Sequence, residues 1–315
     1  MADPSLPAPH LDLGDTFGAF SVAVNISSCL YGVTCLQTWY YFRNYHDRWL
    51  LRGVVLAILV LETAHAILAI HAVYHYLVLN FANPAGLSKH VWSIVFVIPI
   101  TTATNTIVHL FYAARIYLLS GGKDWWTPAI VCVLKIVQIV LSISAYPYFA
   151  AAANSLKRLK SLQFLQSGLA NVALSCNAAL DIICALALSY YLHTSRSGVK
   201  STETLINRLI AHAINNGALT SLADISVVIF LAPIPKNLVY LGIFEIVGNL
   251  YANSLLSTLN SRNSHLQASL AAELASPHLS FGTPVPLAST RATGTSSTDT
   301  AKVKSYFDTK NKAAS

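Results

Sequence analysis

Seven long runs of apolar residues, separated by short polar stretches, organise this chain. They cover about residues 17–42, 53–81, 91–119, 126–150, 164–192, 205–232 and 238–259. Each run reaches the ~20 residues that a helix needs to cross the ~30 Å hydrocarbon layer of a bilayer. They are too long and too continuous for the ~10-residue alternating segments of a membrane barrel. Backbone polar groups inside lipid must be satisfied within their own segment, which leaves helices. No repeat of 20–50 residues is visible. The pattern therefore predicts an all-α integral membrane protein, a bundle of seven transmembrane helices.

Composition sharpens this reading. Of 315 residues, 54% are hydrophobic and only 10% charged, where soluble domains average ~25% charged. Mean hydropathy is +0.53. These figures exclude a disordered protein and an ordinary soluble enzyme. The net charge of +7 does not point to nucleic acid, because the Lys and Arg are scattered between apolar blocks instead of forming one patch. Cys29, Cys35, Cys132, Cys176 and Cys184 all fall inside the runs, so they read as small buried apolar side chains and not as a disulfide framework.

The loops suggest an orientation. Basic residues accumulate on the cytoplasmic side of membrane proteins. Residues 1–16 hold Asp3, Asp12 and Asp15 and no Lys or Arg. An N-terminus outside puts Arg43, Arg48, Arg52, Arg115, Lys123, Arg196, Lys200 and Arg208 in the cytoplasm, with the six basic residues of the tail. Lys89, Lys157, Arg158, Lys160 and Lys236 face outward, the cluster from Lys157 being the discordant loop. No signal-peptide pattern opens the chain. Three regions follow: an extracellular segment at 1–16, a seven-helix domain at 17–262, and a Ser/Thr-rich cytoplasmic tail at 263–315 whose composition predicts disorder. Within the tail, Leu266, Leu270 and Leu274 would form one apolar stripe on a short surface helix at 265–275. Phosphorylation of tail Ser and Thr would add charge; a merely solvating tail is the plainer alternative.

The interior residues carry the chemistry. Charges at mid-bilayer cost ~2.5–3.5 kcal/mol each on insertion scales, so they face the bundle interior and seek partners. Glu62, Lys135, Asp181, Asp224 and Glu245 lie well inside the runs. Four acids against one base leave negative charge for protons, cations, His or interface Arg to offset. Lys135 and Asp181 sit at similar depths on neighbouring spans, which predicts a Lys135–Asp181 pair that either sets packing register or serves function. On the second span Glu62 and His65 share one helix face, which predicts a carboxylate–imidazole hydrogen bond. His71 and His75 lie on another face at a spacing that can chelate zinc, with Asp224 the candidate third ligand. Aromatic and His-rich helix ends also arise because such rings favour the interface. Asn215, Asn216, Gly217 and Thr220, with Asn249, Asn253 and Ser254, offer interhelical hydrogen bonds and close packing. The seventh span has no Lys for a retinal Schiff base, and no Walker loop, GxSxG or dinucleotide motif occurs. Catalytic residues are therefore not assigned, and the residues favour a non-enzyme.

Several segments together resemble a large seven-helix membrane family of mushroom-forming fungi whose domain has no assigned function. They are Leu30-Tyr31-Gly32 with Gln37 and Trp39-Tyr40-Tyr41-Phe42, Asp47-Arg48, Glu62-Thr63 with His65, Tyr74-His75-Tyr76, Phe111-Tyr112 with Arg115 and Ser120, Arg208, Gly217, Leu219-Thr220-Ser221, Tyr251-Ala252-Asn253-Ser254-Leu255-Leu256 and Leu259-Asn260-Ser261-Arg262. The resemblance covers about residues 14–262. It implies the helix count and a plasma-membrane location, and it implies no chemistry. Glu62 stands where the resemblance implies Asp, with the same carboxyl on a longer arm.

Three functions remain open. A receptor-like or sensory protein would take an unknown small-molecule ligand and signal to a cytoplasmic partner through the inner loops and tail. A proton- or cation-coupled transporter would use the buried acids. A membrane-embedded zinc hydrolase would use His71, His75 and Asp224. The lipid bilayer is a partner in all three.

Overall fold

The computed structural model describes residues 18–80, 91–152, 160–195, 200–231 and 239–275, with side chains described except at 145–167, 200–202, 204, 205, 208 and 262–275. The helices are α1 Ala19–Asn44, α2 Trp49–Tyr74, α3 Trp92–Leu119, α4 Trp126–Ala152, α5 Lys160–Thr194, α6 Lys200–Leu231 and α7 Val239–Ala275. No strand occurs among the described residues. Among the described residues seven helices are long and apolar enough to cross a membrane, which bears out the helix count.

Local chemistry explains where the helices stop and turn. After α3 the chain reverses through Gly121 and Gly122, at φ 63 and 76, a left-handed conformation that glycine adopts without penalty. Asp124 then caps α4 by accepting the Thr127 N–H at 3.0 Å. Within helices, hydroxyls such as Ser28, Thr63 and Thr106 bond the carbonyl four residues earlier, so a polar side chain sits in an apolar span without an unpaired group. α2 does not end at Tyr74 but widens into a π-helical turn over His75–Leu79. That turn presents the Tyr76 hydroxyl to the Val91 N–H at the entrance of α3.

Each helix packs on its neighbour in sequence, and α7 closes the ring against α1; α3 and α7 also cross the centre, α3 touching α5 and α7, and α7 touching α2. Large apolar side chains such as Leu36, Trp49, Ile143 and Leu186 are exposed on the outside, where lipid tails would meet them. Charged and amide side chains are buried inside. One apolar layer, with Tyr41, Val55, Ile58, Leu255 and Leu259, fills the bundle toward the end bearing Arg43 and Arg52. Another, with Phe20, Ala69, Tyr76 and Leu241, fills the opposite end. Trp39, Trp49, Trp125 and Trp126 are exposed at the basic end, and the Arg43 guanidinium lies 5.2 Å from the Trp39 ring, an interfacial arrangement of amphipathic rings and bases.

Two sequence expectations change here. Helical backbone runs unbroken from Val239 through 262 to Ala275, so the stretch at 265–275 continues α7 instead of forming a separate helix. The Cys residues are free, as expected, but only Cys184 is buried; Cys29 faces outward. The segments 1–16 and 276–315, and the loop residues Lys89, Lys157, Arg158, Arg196 and Lys236, lie outside the described residues, as do the side chains of Lys160, Lys200, Arg208 and the Leu266 stripe.

The α5–α6 contact sets a close-packing test. A Cβ on Gly217 would lie 2.6 Å from the Ala185 Cβ, so the two backbones must move apart to admit it. Gly217→Ala is expected to destabilise the bundle by about 1–3 kcal/mol in thermal unfolding of purified protein. Gly32→Ala, which meets open space, is expected to be neutral or stabilising by up to ~1 kcal/mol.

Candidate functional site

Among the described residues the interior holds two polar clusters. The first joins α3, α4, α5, α6 and α7. Lys135 of α4 donates from Nζ to the side-chain oxygens of Asn105 on α3, at 2.7 Å, and Asn177 on α5, at 3.1 Å. Asn177 passes the connection on, donating from Nδ2 to Asp224 Oδ2 on α6 at 2.7 Å and to the Tyr251 hydroxyl on α7 at 2.8 Å. Tyr251 donates to Asp181 Oδ2 at 2.6 Å and also lies 2.9 Å from Asp224 Oδ2. His109 of α3 reaches Asp181 Oδ1 with Nε2 at 3.1 Å. Its Nδ1 returns to the Asn105 carbonyl at 2.7 Å. All seven residues are buried.

Proton positions in this cluster are constrained by its geometry. A carbonyl oxygen only accepts, so the Asn105 carbonyl fixes a hydrogen on His109 Nδ1. The Nε2–Asp181 contact then needs one further proton, held by the imidazole as an ion pair or by the carboxyl as a neutral acid. Tyr251 has one hydroxyl hydrogen and two carboxylate oxygens in range, so it serves one fully only if the other carries its own proton. Four charge-bearing groups, Lys135, His109, Asp181 and Asp224, thus share their protons through one set of hydrogen bonds.

The second cluster lies between α1, α2, α3 and α7. Glu62 Oε1 accepts from the Thr104 hydroxyl at 3.1 Å. His65 Nδ1 stands 3.5 Å from Glu245 Oε1. Asn249 donates to Ser27 at 2.7 Å.

Sequence expectations divide against this geometry. Glu62, His65, Lys135, Asp181, Asp224 and Glu245 all point inward and are buried. Lys135 and Asp181 share one network but do not bond directly, because Asn105 and Asn177 stand on Lys135 while His109 and Tyr251 stand on Asp181. Glu62 and His65 do not bond each other either; Thr104 on α3 and Glu245 on α7 take them in different directions. His71 bonds Ser93 and packs 4.9 Å from the Trp92 ring, with His75 stacked behind it at 6.4 Å. Asp224 is committed elsewhere, so the structure does not bring His71, His75 and Asp224 together. Among the described residues no three His, Cys, Asp or Glu side chains gather as a metal would require.

Asn249 and Asn253 hold α7 to α1, the latter through the Leu30 carbonyl. Ser254 meets Tyr112 at 2.8 Å. Asn105, His109, Asn177 and Tyr251 complete the network unannounced; the one available signal was an Asn and a His four residues apart within an otherwise apolar span. Next to Asp181 and Tyr251 lies a cavity of about 20 Å3, also lined by Arg115 and His212 toward the basic end. That is room for about one water.

Residues 177–264 match a family of unknown function, DUF6534. No curated protein and no solved structure matches the chain. The matched segment contributes Asn177, Asp181, Asp224 and Tyr251 to the first cluster and Glu245 and Asn249 to the second. Lys135, His109, Glu62 and His65 come from the helices before it.

Two measurements follow. Lys135→Met removes the ammonium that Asn105 and Asn177 hold near two buried carboxyls and is expected to cost about 3–5 kcal/mol; adding Asp224→Asn should recover part of the loss, as a double-mutant unfolding cycle will read. At the basic end, hydrogen bonds from Thr127 and then from the Tyr191 hydroxyl, at 2.6 Å, hold the Asp124 carboxyl below its unperturbed 3.8. Its contribution is therefore present above that value and fades as pH falls through the lowered one. Tyr191→Phe should move the Asp124 titration, followed by carbon NMR, back toward 3.8.

Proposed function

We propose that this chain is a multi-pass membrane protein of receptor-like, sensory type, in which the Lys135–Asp181–Asp224 network is the element a stimulus resets. One observation carries the reading: a single set of charged hydrogen bonds joins five helices, α3 to α7, through Asn177 and Tyr251. Any event that adds or removes one charge there must be absorbed by all five. Polar networks with two possible arrangements are the kind of bistable element that switches use. In this reading the N-terminus faces outward and the basic end faces the cytoplasm, at the plasma membrane. A small-molecule ligand acts from outside, and a signalling partner engages the inner loops and tail. The seven-helix architecture favours it by analogy.

A proton-coupled transporter is the second reading. It is favoured by the water-sized cavity that touches Asp181 and extends toward Arg115 and His212, and by the proton that His109 and Asp181 must share. No such observation favours the zinc hydrolase.

Asp181→Asn removes one charge at the hub and serves as the test in lipid nanodiscs. The expected outcome is faster hydrogen exchange at the basic ends of α5 and α6, with no proton flux when wild-type protein is placed in liposomes under a potassium diffusion potential. Exchange unchanged by the substitution would sink the sensory reading. Proton flux that Asp181→Asn abolishes would establish the transporter instead.

A further inference from the structure

The second cluster contains more acceptors than its surroundings satisfy. Glu62 Oε2, Glu245 Oε1, Thr101 Oγ1 and Asn249 Oδ1 are all buried, and none has a hydrogen-bond partner; both ring nitrogens of His65 are in the same condition. Glu62, His65, Thr101, Glu245 and Asn249 are each about 1% exposed. Buried polar atoms are ordinarily paired, and a group of them left open at one place marks a ligand.

A Cβ on Gly248 would stand 3.4 Å from Thr101 Oγ1 and 3.7 Å from His65 Nε2, so α2 and α3 both press on α7 at that glycine. Glu245 and Asn249 are one turn apart on one face of α7. Glu245 lies against His65, and Glu62 stands about one turn before His65 on the same face of α2. Apolar layers close the cluster at both ends, Val55 and Ile58 on one side and Ala69, Ala72 and Leu241 on the other. No Lys or Arg bridges either carboxyl among the described residues.

The donor set identifies the ligand class. Carboxylate, hydroxyl and amide oxygens suit hard cations, and no thiol is present for a soft one. Two carboxyls buried together without a base keep one proton between them, which leaves one negative charge to match. Four open oxygens are too few for the six to eight that calcium takes. We propose that Glu62, Thr101, Glu245 and Asn249 bind one small monovalent metal cation, of sodium size, at the α2–α3–α7 junction, with His65 orienting Glu245. The site is independent of the sensory reading, since it shares no side chain with the Lys135 network.

Thermal unfolding of purified protein in nanodiscs tests it, with sodium chloride exchanged for potassium, choline or calcium chloride at constant ionic strength and pH. Sodium is expected to raise the midpoint saturably, by roughly 5 °C at a concentration about a hundredfold over its dissociation constant, with choline giving none. Glu62→Gln and Thr101→Val should each abolish the sodium increment, and Asp224→Asn should keep it. The wild-type salt series stands even if one variant fails to fold. Equal midpoints in sodium and choline would overturn the site. So would a response to calcium alone, an increment that survives Glu62→Gln, or one that Asp224→Asn removes.

Discussion

A charge inside a low-dielectric helix bundle must find its counterpart within a few ångströms, because lipid and apolar side chains offer none. The cluster around Lys135 obeys this constraint. Lys135, Asp181 and Asp224 are satisfied only by bringing five helices to one place, and the helices are turned so that their few polar side chains meet there. The outside is left to large apolar side chains. Apolar burial contributes little between helices in lipid, so polar contacts and close approaches such as Gly217 on Ala185 carry the specificity of packing.

Two helices connect the polar clusters. On α3, Thr101 and Thr104 face the Glu62 side while Asn105 and His109 face the Lys135 side. On α7, Glu245 and Asn249 serve one cluster and Tyr251 the other. Thr104 and Asn105 are consecutive residues. One turn of α3 therefore serves both clusters, each with its own side chains.

The architecture was legible in the sequence because an apolar run of more than twenty residues has few alternatives. The ionisable residues were legible for the same reason: a carboxyl or an ammonium in such a run is rare enough to stand out. Their partners were not. Lys135 and Asp181 do share one network, yet direct pairing did not follow, because uncharged Asn105 and Asn177 stand between helices as the bonding groups. Helices that are apolar nearly all round also carry little signal about which face turns inward. Glu62 and His65 share a face, and the neighbours α3 and α7, not their mutual proximity, decided their contacts. His109 was hidden because a lone imidazole in an apolar span reads as packing until its second nitrogen is seen on Asp181.

The division of the first network between the matched segment and the helices before it has a consequence for how the chain can be assembled. Synthesised by itself, the stretch from Asn177 onward would enter the bilayer with Asp181, Asp224 and Glu245 and no base buried beside them. Its insertion would stall, or recruit foreign cations, until a chain carrying Lys135 arrived.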